Sequence, residues 1–454
     1  MRIKRIKKVI RITAILLCAF MLAGATAGCA GGAGGSGGGK GGGGGLKGKI
    51  VVGGWPAGDD AFKAIIPGFN KLYPDVEVEL VFQQGSDFRQ MIETSLAAGS
   101  GAPDVAMVEQ SWVGRMKDSP GWENLLAAPY NAGEMENDFV AFKWNLVKST
   151  DGKKLIGLVW DIGPATMFYR RDVFADAGLP SDPDGVEKLM STWDGVLRAA
   201  EAIHIPGQRW LFAQAQSMYM WYFMNRNFYN NQLEFSLDVP GAREGLEAAI
   251  EMRKNGWDAQ VSDWNETNAM LDSGKLAANV AGCWYGGFLK NFISPEKSGQ
   301  WGITRIPGGI PDSNNGGSYV GIPSQSKKKD AAWAFIKYSM ATKEGQNGMF
   351  AAVDYFPGYI PAWDDPMYNE PDPYFGGQKT RELWVNISKN VQVTFSTLMD
   401  GTVEDIMNNE VNSGLNQGWS ADKIIEYLYK TVETDTKQDY ERNLELLKSA
   451  GIIK

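Results

Sequence analysis

Hydrophobic and polar positions in the first part of the chain switch between a strand period and a helix period. Residues 50–52 form a short apolar run that predicts a strand. Phe62, Ile65 and Phe69 then recur at helical spacing, which predicts an amphipathic helix. Over residues 76–82 Val and Leu alternate with Glu, which is typical of a half-buried strand. The order strand, helix, strand is the beginning of an α/β unit.

The same alternation continues further along the chain. A helix that begins near Asp87 ends before Pro103, and 104–108 is a third predicted strand. This regular alternation predicts a doubly wound α/β lobe, whose ligands lie at the carboxyl ends of its strands. The later predicted elements are strands at 167–169 and 276–280 and helices at 172–177, 192–202, 239–255, 330–340 and within 421–449.

The N-terminus follows a different pattern. Six basic side chains up to Arg11 precede an apolar run at 12–27, and the first acidic residue is Asp59. This is the pattern of a secretory signal and is too short for a stable membrane span, although a permanent transmembrane anchor is the alternative. The run ends Thr26-Ala27-Gly28-Cys29, which resembles a bacterial lipoprotein box. We therefore predict a signal peptide at 1–28 and lipid on Cys29, with simple secretion as the alternative.

Glycine dominates the segment that follows. Residues 29–47, taken as the lipidated cysteine and a tether, cannot bury enough apolar area to fold and predict a flexible linker. No strand precedes this glycine run and no Lys-Ser pair ends it, which excludes a phosphate-binding loop.

The net charge and the residue composition exclude several classes of partner and site. Removal of 1–28 changes the formal net charge from −8 to −14, which argues against a nucleic-acid partner. His204 is the single histidine, and Cys283 is the one thiol left in the mature chain besides Cys29. We predict no zinc cluster, no disulfide, no cofactor and no metal, and Cys283 is read as a buried side chain rather than a nucleophile.

Several motifs in this order resemble the family 1 bacterial extracellular solute-binding proteins, the sugar-binding lipoproteins of ABC importers. The similarity spans about 48–449. The motifs are FNKLYPDVEVEL at 69–80, GSDFRQMIETSLAAGSGAPDVAMVE at 85–109, MFYRRDVFADAGLP at 167–180, STWDGVLRAAEAI at 191–203, LDVPGAREGLEAAIEMRKNGW at 237–257, LDSGKLAANVAGCW at 271–284 and GGSYVGIPSQSKKKDAAWAFIKYSMATKEGQ at 316–346.

The resemblance implies an α/β protein with two doubly wound lobes and a hinge, like type II periplasmic binding proteins. The N-terminal lobe would comprise 48–158 and 306–344, and the C-terminal lobe 159–305 and 345–454. The chain would cross between the lobes near 158–163, near 304–306 and after Lys343.

A sugar presents hydroxyl edges and C–H faces, so its site needs aromatic walls and a few placed polar groups. Candidates lie at predicted strand ends and crossings of the chain. The predicted ligand-binding residues are Trp55, Glu109, Trp112, Asp161, Trp284, Tyr285, Gly317 and Tyr355.

The resemblance implies a protein without catalytic residues that binds a carbohydrate, expected to be an oligosaccharide, and passes it to the permease subunits of an ABC importer. The expected location is the extracellular face of the cell membrane, with the chain a monomer held by lipid. Two alternatives stay open. One is an exported glycoside hydrolase or lyase that uses Glu109 with Asp161. The other is a solute-binding protein for a ligand that is not a sugar.

Overall fold

A computed structural model describes residues 45–453, so the predicted signal peptide, Cys29 and most of the predicted tether lie outside the described residues. The described chain contains eight strands. They are β1 (Gly48–Gly54), β2 (Val76–Phe82), β3 (Val105–Glu109), β4 (Leu158–Val159), β5 (Ala165–Arg170), β6 (Ala278–Gly282), β7 (Trp301–Thr304) and β8 (Ser318–Gly321).

Helices separate most of these strands. They are α1 (Ala57–Leu72), α2 (Gly85–Ala98), α3 (Val113–Met116), α4 (Ala141–Leu146), α5 (Arg171–Asp176), α6 (Pro183–Met190), α7 (Trp193–Ile203), α8 (Ser217–Met220), α9 (Ala242–Lys254), α10 (Trp264–Asp272), α11 (Tyr285–Phe288), α12 (Lys329–Met340), α13 (Lys343–Val353), α14 (Thr380–Ser388), α15 (Asp400–Asn416), α16 (Ala421–Asp435) and α17 (Lys437–Ser449). A π-helical turn at Leu289–Ile293 follows α11 directly.

The strands form two sheets, and the expected α/β class is confirmed. The first sheet has the order β2-β1-β3-β8-β4, with β1 parallel to β2 and β3, and β8 antiparallel to β3 and β4. Phe62 and Phe69 of α1 pack with Phe335 of α12 beside this sheet. α13 also packs against α1. The predicted spacing of Phe62, Ile65 and Phe69 therefore does identify a core-facing helix surface, since all three are buried.

The second sheet has the order β6-β5-β7, and both of its pairings are antiparallel. Every residue of the central strand β5 is buried, because helices and loops cover both faces of the sheet. Phe168 packs against Tyr285 and Phe375 on one face. Met167 and Tyr169 belong to a separate hydrophobic cluster, together with residues of α9, α15 and α16, on the other face.

Three short segments meet between the sheets. Residues 160–164 connect β4 to β5, residues 305–317 connect β7 to β8, and residues 354–358 run beside the first segment. The amide of Ile162 donates to Phe356 O at 2.8 Å, and the amide of Asn315 donates to Gly163 O at 2.7 Å. Backbone hydrogen bonds thus tie all three segments together as one narrow ribbon, and we call them the crossing segments.

Candidate functional site

A cavity of about 480 Å³ opens beside the crossing segments. Its wall combines residues that are far apart in sequence. These include Glu109 at the end of β3, Ser111 two residues later, residues 314–316 of a crossing segment, residues 223–226 after α8, residues 394–398, and Asp400 and Glu404 of α15. The cavity is therefore bounded by the end of β3 in the first sheet, by a crossing segment, and by segments that come from other parts of the chain.

Glu109 is the one predicted site residue whose side chain lines this cavity. It ends β3, at the carboxyl edge of the first sheet, as expected for a ligand-binding position in an α/β lobe. Its carboxylate accepts hydrogen bonds from the Ser111 amide, at 2.9 Å, and from the Ser111 hydroxyl. These bonds cap the short turn at Gln110–Trp112 and hold the carboxylate in one orientation at the cavity wall.

Asp400 and Glu404 lie one helical turn apart on α15 and supply two more carboxyl groups to the cavity. Burial raises the pKa of Asp400 to about 6, although hydrogen bonds from the Thr397 hydroxyl and amide favour the ionised form. Partial desolvation raises the pKa of Glu404 to about 7, and the nearby charges of Asp400 and Glu109 add to this effect. The Glu404 side chain is nevertheless accessible within the cavity. Near neutral pH the cavity thus holds carboxyl groups that can both accept and donate hydrogen bonds.

Neither Asp400 nor Glu404 is among the residues predicted from the sequence, because no helix is predicted between 340 and 421. The apolar residues of α15 that are buried include Val403, Ile406 and Val411, which do follow helical spacing. The local signal of a helix start was Thr397 followed three residues later by Asp400, whose carboxylate accepts a hydrogen bond from the Thr397 amide.

Behind the cavity wall, Asp161 and Lys143 are buried among the crossing segments. The Lys143 ammonium donates to Gln110 Oε1 at 2.8 Å and to Gly316 O at 3.1 Å, and it lies 4.4 Å from the centre of the Tyr319 ring. Burial lowers the pKa of Lys143 to about 8, partly offset by Asp161 and Glu109. Burial likewise raises the pKa of Asp161 to about 6, and Lys143 is the largest opposing influence.

Gly317 lies next to this buried pair. Its φ of +95° belongs to the left-handed region, and a Cβ there would lie 2.4 Å from Asp161 O and 2.9 Å from Lys143 Nζ. Asp161 and Gly317 therefore hold the crossing segments together, behind the cavity and not on its surface.

The predicted tryptophans lie around the same region. Trp55 and Trp112 pack edge to face with ring centres 5.4 Å apart, and Trp55 is the more accessible of the two. The Trp284 indole nitrogen donates to Asn315 O at 2.9 Å, so this partly exposed ring touches the segment that lines the cavity. Tyr355 is partly exposed and packs on Trp160 at a ring distance of 5.5 Å.

Tyr285 points away from the cavity, unlike its neighbour Trp284. Its side chain is fully buried, and its hydroxyl donates to Asn268 Oδ1 at 2.7 Å. We therefore leave Tyr285 out of the candidate site, because its position after a strand places it in the core beside Phe168. Cys283 is also fully buried, and burial raises the pKa of its thiol well above the usual range.

Within residues 45–453 no group of three or more His, Cys, Asp or Glu side chains is placed to hold a metal ion. Over the same part of the chain, no helix combines the length and apolar character needed to cross a membrane.

Comparison with known proteins gives the family. Residues 54–347 match the model of the bacterial extracellular solute-binding proteins, and the chain belongs to this family. The arabinooligosaccharide-binding protein of Bacillus subtilis (strain 168) is 24% identical over 327 residues, which cover 68% of this chain and 73% of that protein.

Solved structures show the same fold. A crystal structure of an extracellular solute-binding protein family 1 member matches 86% of this chain and 99% of its own, with a TM-score of 0.71 and 21% identity. The ABC transporter associated binding protein from B. animalis subsp. lactis Bl-04, in complex with β-1,6-galactobiose, matches 87% of this chain and 98% of its own, with a TM-score of 0.69 and 21% identity.

Proposed function

We propose that this extracellular solute-binding protein captures a carbohydrate, and specifically an oligosaccharide, in the cavity beside the crossing segments and delivers it to the permease of an ABC importer. The observation that carries the proposal is the composition of the cavity wall. The wall contains the carboxyl groups of Glu109, Asp400 and Glu404, amide side chains such as Asn225 and Asn315, and the guanidinium groups of Arg89, Arg115 and Arg226. Such groups match a ligand that presents many hydroxyl groups.

The names of similar proteins support the same class of ligand. The relative from Bacillus subtilis is an arabinooligosaccharide-binding protein, and the similar structure from B. animalis subsp. lactis contains β-1,6-galactobiose. Carboxyl groups with pKa values of about 6 and about 7 suit such a ligand, because a sugar hydroxyl can donate to the ionised form or accept from the neutral form.

We propose that each sheet is the centre of one lobe and that the crossing segments form the hinge. A ligand that contacts both sides of the cavity would favour the closed arrangement of the lobes. Because α13 packs against α1, we assign 343–353 to the N-terminal lobe and place the third crossing at 354–358, later than the boundary at 344 that the sequence suggested.

Among the residues predicted from sequence, we propose that Glu109 binds the ligand directly. Aromatic surfaces at the edges of the cavity would be provided by Trp55, Trp112, Trp284 and Tyr355. Asp161 and Gly317 would act indirectly by fixing the crossing segments. Asp400 and Glu404 complete the proposed set from α15.

We further propose that the mature chain begins at a lipidated Cys29 and works as a monomer on the extracellular face of the membrane, without catalytic activity. Mass spectrometry of the protein isolated from membranes tests the anchor, because diacylation adds a defined mass to the N-terminal peptide. A mature chain that carries an unmodified Cys29 would contradict it.

Isothermal titration calorimetry against arabino-, malto- and β-1,6-galacto-oligosaccharides tests the ligand class. We expect saturable binding of at least one series, and loss of that binding in an Asp400→Asn, Glu404→Gln double variant. A complete absence of binding and of thermal stabilisation across the three series would refute the proposal. Release of new reducing ends from a bound sugar would instead identify the enzyme that the sequence left open.

A further inference from the structure

A row of four aromatic side chains lies on the surface beside the second sheet. We call it the aromatic ridge, and it consists of Trp264, Trp284, Phe288 and Phe292. The ring centres of Trp264 and Trp284 are 6.4 Å apart, those of Trp284 and Phe288 are 5.9 Å apart, and those of Phe288 and Phe292 are 5.9 Å apart. Each ring thus packs against the next, and the planes of Trp284 and Phe288 are nearly perpendicular.

The two ends of the aromatic ridge are open to solvent. Trp264, at the start of α10, is 47% exposed, and Phe292 is 73% exposed. Phe292 lies in the π-helical turn that follows α11, and Lys290 of the same turn points inward to bind Asp354 at 2.5 Å and Asp372 at 2.6 Å. Because these ion pairs fix the inner side of the turn, Phe292 is held on its outer side. On soluble proteins, large contiguous patches of exposed apolar surface mark interaction sites.

The aromatic ridge adjoins the cavity wall through Trp284, although no ridge side chain lines the cavity itself. The Trp284 indole donates to Asn315 O, and Asn315 is part of the cavity wall. From this contact the ridge leads outward to Trp264 and to Phe292. A chain-like ligand that leaves the cavity past Asn315 would therefore meet the ridge at Trp284.

We propose that the aromatic ridge binds the additional sugar units of an oligosaccharide that is longer than the cavity can hold. An aromatic ring offers a flat surface to the C–H face of a sugar, and the ridge provides such rings in succession. The four ridge side chains are uncharged, which suits a neutral glycan, and the exposed carboxylates of Asp263 and Glu266 lie beside them at Trp264. This inference rests on the proposed carbohydrate function and adds to it the length of the ligand.

The test is calorimetry of the whole mature protein with disaccharides, trisaccharides and hexasaccharides of the arabinose, maltose and β-1,6-galactose series. We expect the hexasaccharide of the bound series to bind more tightly than its disaccharide. Trp264→Ala and Phe292→Ala should each weaken hexasaccharide binding by about three- to tenfold, the effect of one aromatic contact, and leave disaccharide binding unchanged. Leu72→Ala, which truncates an exposed apolar residue at the end of α1, is the matched control.

The possible results separate this inference from the proposed function. Failure of every sugar to bind refutes both the proposed carbohydrate function and the role of the aromatic ridge. Equal affinity for short and long sugars, or a preference for long sugars that survives in both ridge variants, refutes the ridge alone. If the variants bind hexasaccharide normally but no longer support import by the cognate permease, the ridge is a permease contact and our assignment is wrong.

Discussion

The ammonium of Lys117 donates a hydrogen bond of 2.7 Å to the carbonyl oxygen of Ser396, which lies 279 residues later in the chain. Lys117 follows α3 near the first sheet, is 4% exposed, and its pKa is lowered by burial. Ser396 belongs to the segment that lines the cavity before α15. The hydrogen bond thus fixes one wall of the cavity against the end of α3, where Gly114 also approaches Thr397 O closely.

Replacement of Lys117 by Met should therefore weaken ligand binding. The change keeps the length of the side chain but leaves Ser396 O without its donor. One net hydrogen bond contributes about 0.5–1.5 kcal/mol, so we expect the Kd for the bound oligosaccharide to rise about three- to tenfold. Calorimetry measures this, and Lys329→Met, which removes the ion pair with Glu123 on the first-sheet side, is the control. Equal Kd values for wild type and Lys117→Met would show that this contact does not shape the cavity.

Loss of the Glu109 carboxylate should weaken binding more than loss of its local partner. We expect Glu109→Gln to raise the Kd by about tenfold or more, because hydrogen bonds to a charged group contribute about 1.5–3 kcal/mol. Ser111→Ala removes the hydroxyl that donates to the carboxylate but keeps the Ser111 amide donor and the carboxylate itself, so its effect should be smaller. The reverse order in the same calorimetric series would assign Glu109 to capping of the turn alone.

The backbone at Gly317 should not tolerate a side chain. We expect Gly317→Ala to destabilise the fold by about 2–4 kcal/mol, since a positive φ and a steric overlap with Asp161 O act together. Gly377→Ala is the matched control, because Gly377 has a φ of +83° with no atom within 4 Å of its Cβ position, and it should cost only about 1 kcal/mol. Urea denaturation gives both values, and equal losses would show that the overlap is relieved by a small shift of the crossing segments.

Stability should depend on pH through Asp400. Its pKa in the folded protein is about 6, above the value near 4 of an unfolded aspartate, so the folded state takes up the proton first as the pH falls. The wild type should therefore gain stability relative to Asp400→Asn between about pH 6 and pH 4, with most of the gain complete near pH 4. Urea denaturation of both proteins at a series of pH values measures the difference.

The control for this pH series is Asp364→Asn, which removes an exposed carboxylate that pairs with Lys343 at the surface. The expected sign would be contradicted if the free energy of unfolding of the wild type, minus that of Asp400→Asn, stayed constant from pH 7 to pH 4 or decreased as the pH fell.

Several elements were readable from the sequence because local spacing determines them. The apolar positions of α1 and the alternation in β2 were predicted close to their observed bounds, as was α12, since each follows a single period with clear stops. α15 was missed although its buried apolar positions follow helical spacing, because its several Asn and Gly residues have low helix propensity.

The arrangement of the candidate site could not be read in the same way. Trp284 and Tyr285 are neighbours in sequence, yet one touches the cavity wall and the other is fully buried in the core. Which of two adjacent aromatic residues faces solvent depends on what packs around the end of β6, and Asn268, the partner of the Tyr285 hydroxyl, comes from α10.

The sequence by itself determined the α/β class, the family and the candidate Glu109, because strand and helix periods and the ends of strands are local properties of the chain. Only the tertiary structure placed Asp400 and Glu404 of α15 in the same cavity as Glu109, and buried Lys143 beside Asp161 behind its wall. The physical reason is that burial and the approach of distant charges set which carboxyl groups share a site and what their pKa values are. Both depend on how the two sheets and the crossing segments pack, which no local pattern records.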